Sequence, residues 1–177
     1  MLFDEFNLAR TNPKEYSNKI SNHMKYIRNE GDYMYYVEKN GIKLKLHSQK
    51  QGFIDCSKFL SNSEPIHALQ FNKDLIIDIP YDYSEQLDKE AMVEKALKKK
   101  KQLFCSNFTF GFHFDKGSVN PETSCVLQLV DDNCESRLRR NNIMNHNFTQ
   151  VGISVRKVNF IRVYVVYVTF SGKLLES

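Results

Sequence analysis

The chain has 177 residues, which is enough for one domain with a buried core. Hydrophobic residues make up 41% of it and charged residues 26%, as is typical of a soluble globular protein. No stretch approaches the roughly 18 apolar residues of a membrane helix, so we predict no membrane span. The formal net charge of +4 permits an acidic partner without specifying one.

The N-terminus reads MLFDEFNLARTNPKEY and lacks the basic stretch and apolar run of a secretory signal peptide. If Met1 is the true start, we expect an intracellular protein. The cysteines agree with this expectation, because they form no CxxC pair and match no zinc-binding spacing. We therefore expect reduced thiols rather than two disulfides. The four residues concerned are Cys56, Cys105, Cys125 and Cys134.

The chain opens with two predicted helices. Leu2–Ala9 has apolar residues at helical spacing. Asn12-Pro13 is a helix start, with Asn as the cap and Pro in the first turn. The helix that follows carries one apolar stripe from Tyr16 to Ile27, and Glu30-Gly31-Asp32 is predicted to end it.

A hairpin and more helix are predicted next. Tyr33–Glu38 and Ile42–Leu46 flank Asn40-Gly41, a pair typical of a type I′ hairpin turn. Residues 54–60 favour a helix. Residues 68–78 can continue as helix until Pro80 stops it.

The second half alternates between helix and strand. A helix is predicted from Ser84 to Lys101, followed by a strand from Phe104 to Phe114 with phenylalanine on alternate positions. Asn120-Pro121 starts a helix that runs to Val130. Residues 151–155 and 161–170 are predicted closing strands, and the second is so continuously apolar that we expect it to be central. This order predicts an α/β fold with a sheet covered on both faces.

The stretch from Gln128 to Val155 reads QLVDDNCESRLRRNNIMNHNFTQVGISV. It resembles the late segment of the CAP superfamily, the cysteine-rich secretory, antigen-five and pathogenesis-related (SCP-like) proteins. The bacterial and protist branch of that family typically reads LxVDDGxxxRGHRxNIxNxxFxxVGI there. Asn7 and Arg10 match the NxxR of the family's opening helix. Three further stretches follow in the family's order: PIHALQFNKDL, CSNFTFGF and TFSG.

The resemblance covers nearly all of the chain and implies a specific architecture. We expect one CAP-like domain over 1–177, an α–β–α sandwich with a mainly antiparallel central sheet and helices on both faces. Relative to shorter family members, the hairpin at about 33–46 is an insertion.

The resemblance also implies that the family's histidine- and glutamate-lined cleft has lost its chemistry here. The family's glutamate falls on Ser106 and one histidine on Arg139, a permanent cation that repels a metal ion. The other histidine would fall within 79–86, which contains none. We therefore predict no catalytic residue, no metal and no cofactor. The positions that keep their family identity are predicted to be architectural: Asn107, Arg140 and Asn142.

Other chemistry has little support in the sequence. We expect all five histidines to be structural or exposed, with His23 solvated on its helix and His113 opposite the aromatic face of its strand. Asp131-Asp132 with Glu135 could form a paired-carboxylate catalyst, but the neighbouring arginines favour a salt-bridged loop of fixed shape. No glycine-rich phosphate loop is present.

A basic run closes the helix predicted from Ser84: Lys98, Lys99, Lys100 and Lys101. Such a run is either a solvated face or a site for an acidic partner such as tubulin tails, nucleic acid or anionic lipid. Aromatic residues do not interleave it, which argues against nucleic acid.

We predict a non-catalytic structural or protein-binding module in a larger cytoplasmic assembly, with the cytoskeleton or a ciliary axoneme as the setting. The alternatives are lipid or sterol binding through the aromatic strand, a secreted SCP-like protein, and a metal-dependent hydrolase.

Overall fold

The computed structural model describes residues 1–79, 88, 91–92, 95–96, 109–132, 134–157 and 162–171. Over these residues the chain is a mixed α/β protein with two β-sheets, which confirms the predicted fold class. It divides into two compact units, Met1–Ala68 with Ser118–Met144 and Leu69–Gly117 with Asn145–Ser177. The predicted three-layer sandwich and the single domain over 1–177 stay predictions.

The first unit is built on five α-helices: α1 (Leu2–Thr11), α2 (Pro13–His23), α3 (Gln51–Ser61), α4 (Pro121–Val130) and α5 (Leu138–Ile143). The predicted helices at α1, α3 and α4 are confirmed. Asn120 caps α4 as expected, since its side-chain oxygen accepts the backbone N–H of Thr123 at 3.0 Å. Helix α2 packs on α3, and both contact α4. The core between them consists of fully buried side chains such as Phe6, Ile20 and Leu129.

Helix α2 is shorter than the apolar stripe predicted. It ends at His23, a 3₁₀ turn covers Met24–Tyr26, and Ile27 begins a strand. Ile27 pairs with Tyr36 across the sheet and is buried there, so this β-branched residue belongs to the strand rather than to the helix. The prediction that the helix continues to Glu30 was wrong because long-range pairing decides its end.

The first unit also contains an antiparallel sheet of three strands, β1 (Ile27–Glu30), β2 (Tyr33–Val37) and β3 (Lys43–Leu46). The predicted hairpin is confirmed by the register of β2 and β3, which pairs Met34 with Leu46. The predicted type I′ turn is wrong. The N–H of Gly41 donates to the carbonyl of Glu38 at 2.9 Å, and Gly41 rather than Asn40 has a positive φ, of 84°. This is the longer loop, with a turn followed by a left-handed glycine.

The second unit contains a four-stranded sheet in the order β4-β6-β7-β5. The strands are β4 (Gln70–Phe71), β5 (Thr109–Ser118), β6 (Gln150–Lys157) and β7 (Arg162–Ser171). Strands β6 and β7 are antiparallel, and β4 is parallel to β6. Every residue from Val163 to Phe170 is buried and β7 lies inside the sheet, so its predicted central position is confirmed.

The helix suggested for 68–78 is absent. The segment forms β4 and a 3₁₀ turn at Lys73–Leu75, with the N–H of Gln70 and Asn72 donating to the carbonyls of Thr149 and Val151. Sheet pairing satisfies these backbone groups and outcompetes helix.

Part of the predicted second half lies outside the described residues. Of the helix predicted from Ser84, the described residues 91–92 and 95–96 are helical. Lys98 to Lys101, Phe104 and Phe108 are not among the described residues. No helix in the described part of the chain is long and apolar enough to cross a membrane.

Candidate functional site

Arg139, one of the two positions that the CAP resemblance marks as substituted, lies in α5 and faces a buried acid. Its backbone N–H donates to Asp131 Oδ2 at 2.9 Å, and its Nη1 lies 3.3 Å from Asp131 Oδ1. Asp131 is fully buried and ends α4 with a left-handed φ of 51°. The guanidinium therefore compensates a buried carboxylate. The other substituted position, Ser106, and its neighbour Asn107 lie outside the described residues.

Arg140 holds the C-terminal end of α4. Its Nε donates to the carbonyl of Leu129 at 2.6 Å and its Nη2 to that of Val130 at 3.1 Å. These are carbonyls that a helix end leaves without intrahelical donors. The guanidinium also lies 5.3 Å from the centre of the Phe59 ring. Arg140 and Asn142 are both buried. The contacts of Arg140 agree with the architectural role predicted for it, and the role of Asn142 stays a prediction.

Asp132, the second residue of the Asp131-Asp132 pair, holds a loop in place. The Asp132 carboxylate accepts the backbone N–H groups of His47 and Ser48, and its carbonyl accepts the Ser48 hydroxyl at 3.1 Å. Both carboxyl oxygens of Asp132 are thus engaged, which favours the fixed loop over a paired-carboxylate catalyst. Among the described residues, no group of three histidine, cysteine or acidic side chains could hold a metal ion.

The three described cysteines are free thiols, as predicted for them: Cys56, Cys125 and Cys134. Burial raises the pKa of Cys56 to about 12 and also raises that of Cys125. Both stay protonated at neutral pH and are poor nucleophiles, since the thiolate is the reactive form.

A cleft of about 220 Å³ with a mixed polar and apolar lining opens in the first unit, between the hairpin loop and the start of α4. No motif in the sequence predicted this cleft. We call it the hairpin cleft; the side chains that matter to its chemistry are His23, Tyr26, Tyr36, Glu38, Asn120 and Glu122.

His23 is buried at the base of the hairpin cleft, so the prediction that it is solvated was wrong. Its Nδ1 hydrogen-bonds the Tyr36 hydroxyl at 2.7 Å, and its Nε2 lies 2.9 Å from Glu122 Oε1. The imidazole also stacks on the Tyr36 ring, with centroids 6.0 Å apart. Helix α2 ends at His23, so this flank of the helix faces the sheet rather than water.

Glu122 connects the cleft to a second acid. Its Oε2 lies 3.3 Å from Lys19 Nζ, and Lys19 is 3.2 Å from Glu5 Oε2. The Tyr16 hydroxyl donates to the same oxygen of Glu5 at 2.8 Å. The hydrogen bond from His23, assisted by Lys19, lowers the pKa of Glu122 below its usual range despite partial burial.

Glu38 lacks the close cationic partners that Glu122 has among the described residues, although Lys39 also lines the cleft. It is 8% exposed, and its Oε2 accepts the Ser118 hydroxyl at 2.6 Å and, at 3.4 Å, the Asn40 amide. No hydrogen bond from a described residue reaches Oε1, and the ion pairs of the described residues do not include Glu38. Oε1 of Glu38 is therefore available to a ligand in the cleft.

These contacts favour binding over proton transfer. A general base needs a free basic atom within hydrogen-bond reach of its substrate. Both nitrogens of His23 and both carboxyl oxygens of Glu122 are already engaged. Burial raises the pKa of Tyr36, although a hydrogen bond with Thr123 opposes this, so its phenol stays protonated.

No protein-family model, curated protein or solved structure matches the chain. The CAP resemblance therefore rests on the sequence motifs and stays an interpretation.

The stabilising role of Glu122 predicts a pH dependence. A carboxylate with a lowered folded pKa contributes stability above its unfolded pKa of 4.5, and loses it as pH falls through the folded pKa. We expect Glu122→Gln to be less stable than the wild type at pH 7 and the difference to shrink below about pH 4.5. Urea denaturation at pH 7, 5 and 3.5 measures this. A gap that stays constant with pH would show that the charge of Glu122 is not what stabilises the fold.

Proposed function

We propose that this chain is a non-catalytic, CAP-like module that supplies a binding surface to a larger assembly. The pairing of Arg139 with Asp131 supports this most directly. At the position where the resemblance places a metal-binding histidine, a permanent cation neutralises a fully buried acid and holds the segment between α4 and α5. A metal ion there would face that positive charge.

The hairpin cleft supports the same proposal. His23 and Glu122 bind one another and their neighbours. These groups, which are typical of acid–base catalysis, therefore hold the structure of the cleft. A fixed surface of mixed polar and apolar character suits partner recognition.

The proposal includes an acidic partner, such as tubulin tails, that binds the four lysines from Lys98 to Lys101. It also includes the cytoplasmic, cytoskeletal and ciliary settings.

Cross-linking followed by mass spectrometry on the tagged full chain, purified from its own cells, tests the proposal. We expect a stoichiometric protein partner. Replacing all four lysines with Gln tests whether the basic run contacts it. Recovery of the chain alone, or with a stoichiometric divalent metal ion, would contradict a non-catalytic module.

Lipid or sterol binding is the second candidate, because the aromatic face of β5 is only partly used in the core. Phe114 is buried and packs against Tyr164, with ring centroids 5.6 Å apart. Phe110 is 38% exposed and stacks with Phe112 at 6.4 Å. A sterol-binding assay with Phe112→Ala separates the candidates, since only a lipid site would give saturable binding that this variant weakens.

Restoring the family's histidine should harm rather than help. We expect Arg139→His to lose about 2 kcal/mol of stability at pH 7, because the buried Asp131 keeps one backbone donor and loses its cation. The variant should not retain a stoichiometric metal after purification. Arg28→His, at an exposed arginine of β1, is the matched control and should change stability little. Chemical denaturation and elemental analysis make both measurements; tight metal binding by Arg139→His would revive the hydrolase hypothesis.

A further inference from the structure

The hairpin cleft has aromatic residues in its lining. The rings of Tyr26 and Tyr36 lie 6.0 Å apart at 72°. Tyr36 is 1% exposed and also stacks on Phe53, so Tyr26 is the ring with a face to offer. Lys25 Nζ already lies 5.2 Å from the centre of the Tyr26 ring, because aromatic faces attract cations through the negative charge density above the ring.

Glu38 gives this cleft a negative charge that no ion pair of the described residues matches, although Lys39 also lines the cleft. Glu38 is 8% exposed, and the hydrogen bonds that its carboxylate receives from described residues come from neutral groups, chiefly the Ser118 hydroxyl. The free Oε1 belongs to a residue that lines the cleft. A buried carboxylate is costly unless it is paired, so a cation that enters the cleft would gain from the pairing.

The charge and the volume of the hairpin cleft together indicate the class of ligand. Glu122 also lines the cleft, but Lys19 and His23 already accompany it, so Glu38 is the acid left to be matched. An anion would meet both carboxylates. The volume of 220 Å³ holds about seven water molecules at ~30 Å³ each, which is too large for a bare ion and suits the end of an alkyl chain.

We propose that the hairpin cleft binds an organic cation, an alkylammonium or alkylguanidinium group, with Glu38 as its counter-ion and the Tyr26 ring beside it. The group comes either from a free small molecule or from a lysine or arginine side chain of a peptide. This inference uses the cleft that also supports the proposed function, but the pairing of Arg139 with Asp131 does not depend on it, so either can fail alone.

Titration of the full chain followed by amide NMR tests the site. The probes are butylamine, butylguanidine, and the peptides Gly-Gly-Lys-Gly-Gly and Gly-Gly-Arg-Gly-Gly. The norleucine peptide Gly-Gly-Nle-Gly-Gly keeps the alkyl chain and removes the charge. We expect saturable shifts at the amides around Asn40 and Glu122 with at least one cationic probe and none with the norleucine peptide. Binding of the small cations alone indicates a free ligand; binding of the peptides as well indicates a side chain.

Two variants make the assignment specific. Glu38→Gln keeps an oxygen for the Ser118 hydroxyl and removes the charge, so affinity should fall at least about tenfold. Glu30→Gln is the control, because Glu30 pairs with Lys43 outside the cleft, and should bind as the wild type does. If Glu38→Gln does not fold, Lys39→Ala carries the test. It removes an exposed positive charge from the rim and should tighten binding roughly two- to threefold.

Three results would overturn the cation site. They are equal shifts with the norleucine peptide, unchanged affinity in a folded Glu38→Gln or in Lys39→Ala, and no saturable shift with any cationic probe.

Discussion

Gly152→Ala is expected to destabilise the protein severely, by about 3 kcal/mol or more, because strand β6 leaves no room for a side chain at this residue. A Cβ there would lie 2.5 Å from the carbonyl oxygen of Leu75 and 2.6 Å from its Cβ. Leu75 is fully buried in the 3₁₀ turn beside the sheet, so it cannot move aside cheaply. Thermal unfolding should shift downward by roughly 6–12 °C for a chain of this size.

Gly41→Ala is the control that separates steric clash from backbone strain. Gly41 has a φ of +84° but open space where its Cβ would be, so alanine there should cost only about 1 kcal/mol. Urea denaturation of both variants gives the comparison. Equal losses would mean that the turn at Leu75 yields easily and that close packing on Gly152 is not required.

The elements that sequence predicts well are those with local signals. Helix α4 has an Asn cap, a Pro in the first turn and apolar residues on one side, and it forms over the residues expected. Strand β7 is a continuous apolar run and lies inside its sheet. The alternation along β5 is also correct, since Phe114 contacts Tyr164 while His113 contacts Tyr167, on the opposite face of β7.

The errors occur where a distant partner decides the structure. Ile27 fits the helical stripe of α2 equally well, but it pairs with Tyr36. Likewise, the local pattern of residues 68–78 is compatible with a helix, but their backbone pairs with β6 instead. Local periodicity contains no information on either pairing.

The site shows the same division. The sequence indicated a salt-bridged loop of acids and arginines around Arg139, whereas the choice of Asp131 as its partner required the structure. The hairpin cleft joins His23 to Glu122, which lie 99 residues apart, and no spacing rule links them. Only its turn, at Asn40-Gly41, was visible in the sequence.

Arg10→Met is the other substitution for which we expect a large effect, a loss of about 3 kcal/mol. Arg10 lies in α1 and is fully buried. Its Nε donates to the carbonyl of His67 at 2.9 Å and its Nη1 to that of Ile143 at 2.6 Å. Methionine matches the alkyl chain but leaves both carbonyls without these donors, and their desolvation then goes uncompensated. Urea denaturation at pH 7 measures the loss.

The burial of this cation sets a limit on the effect. Burial lowers the pKa of Arg10 to about 10, so the side chain is charged at neutral pH and its desolvation opposes folding. Methionine removes that desolvation penalty together with the hydrogen bonds. We expect the cost of leaving two carbonyls unpaired to exceed the penalty that is removed. Arg28→Met, at an exposed arginine, should change stability by less than about 0.5 kcal/mol. If Arg10→Met were as mild as that control, the two carbonyl bonds would do no more than offset the burial of the charge, and Arg10 would specify the fold without stabilising it.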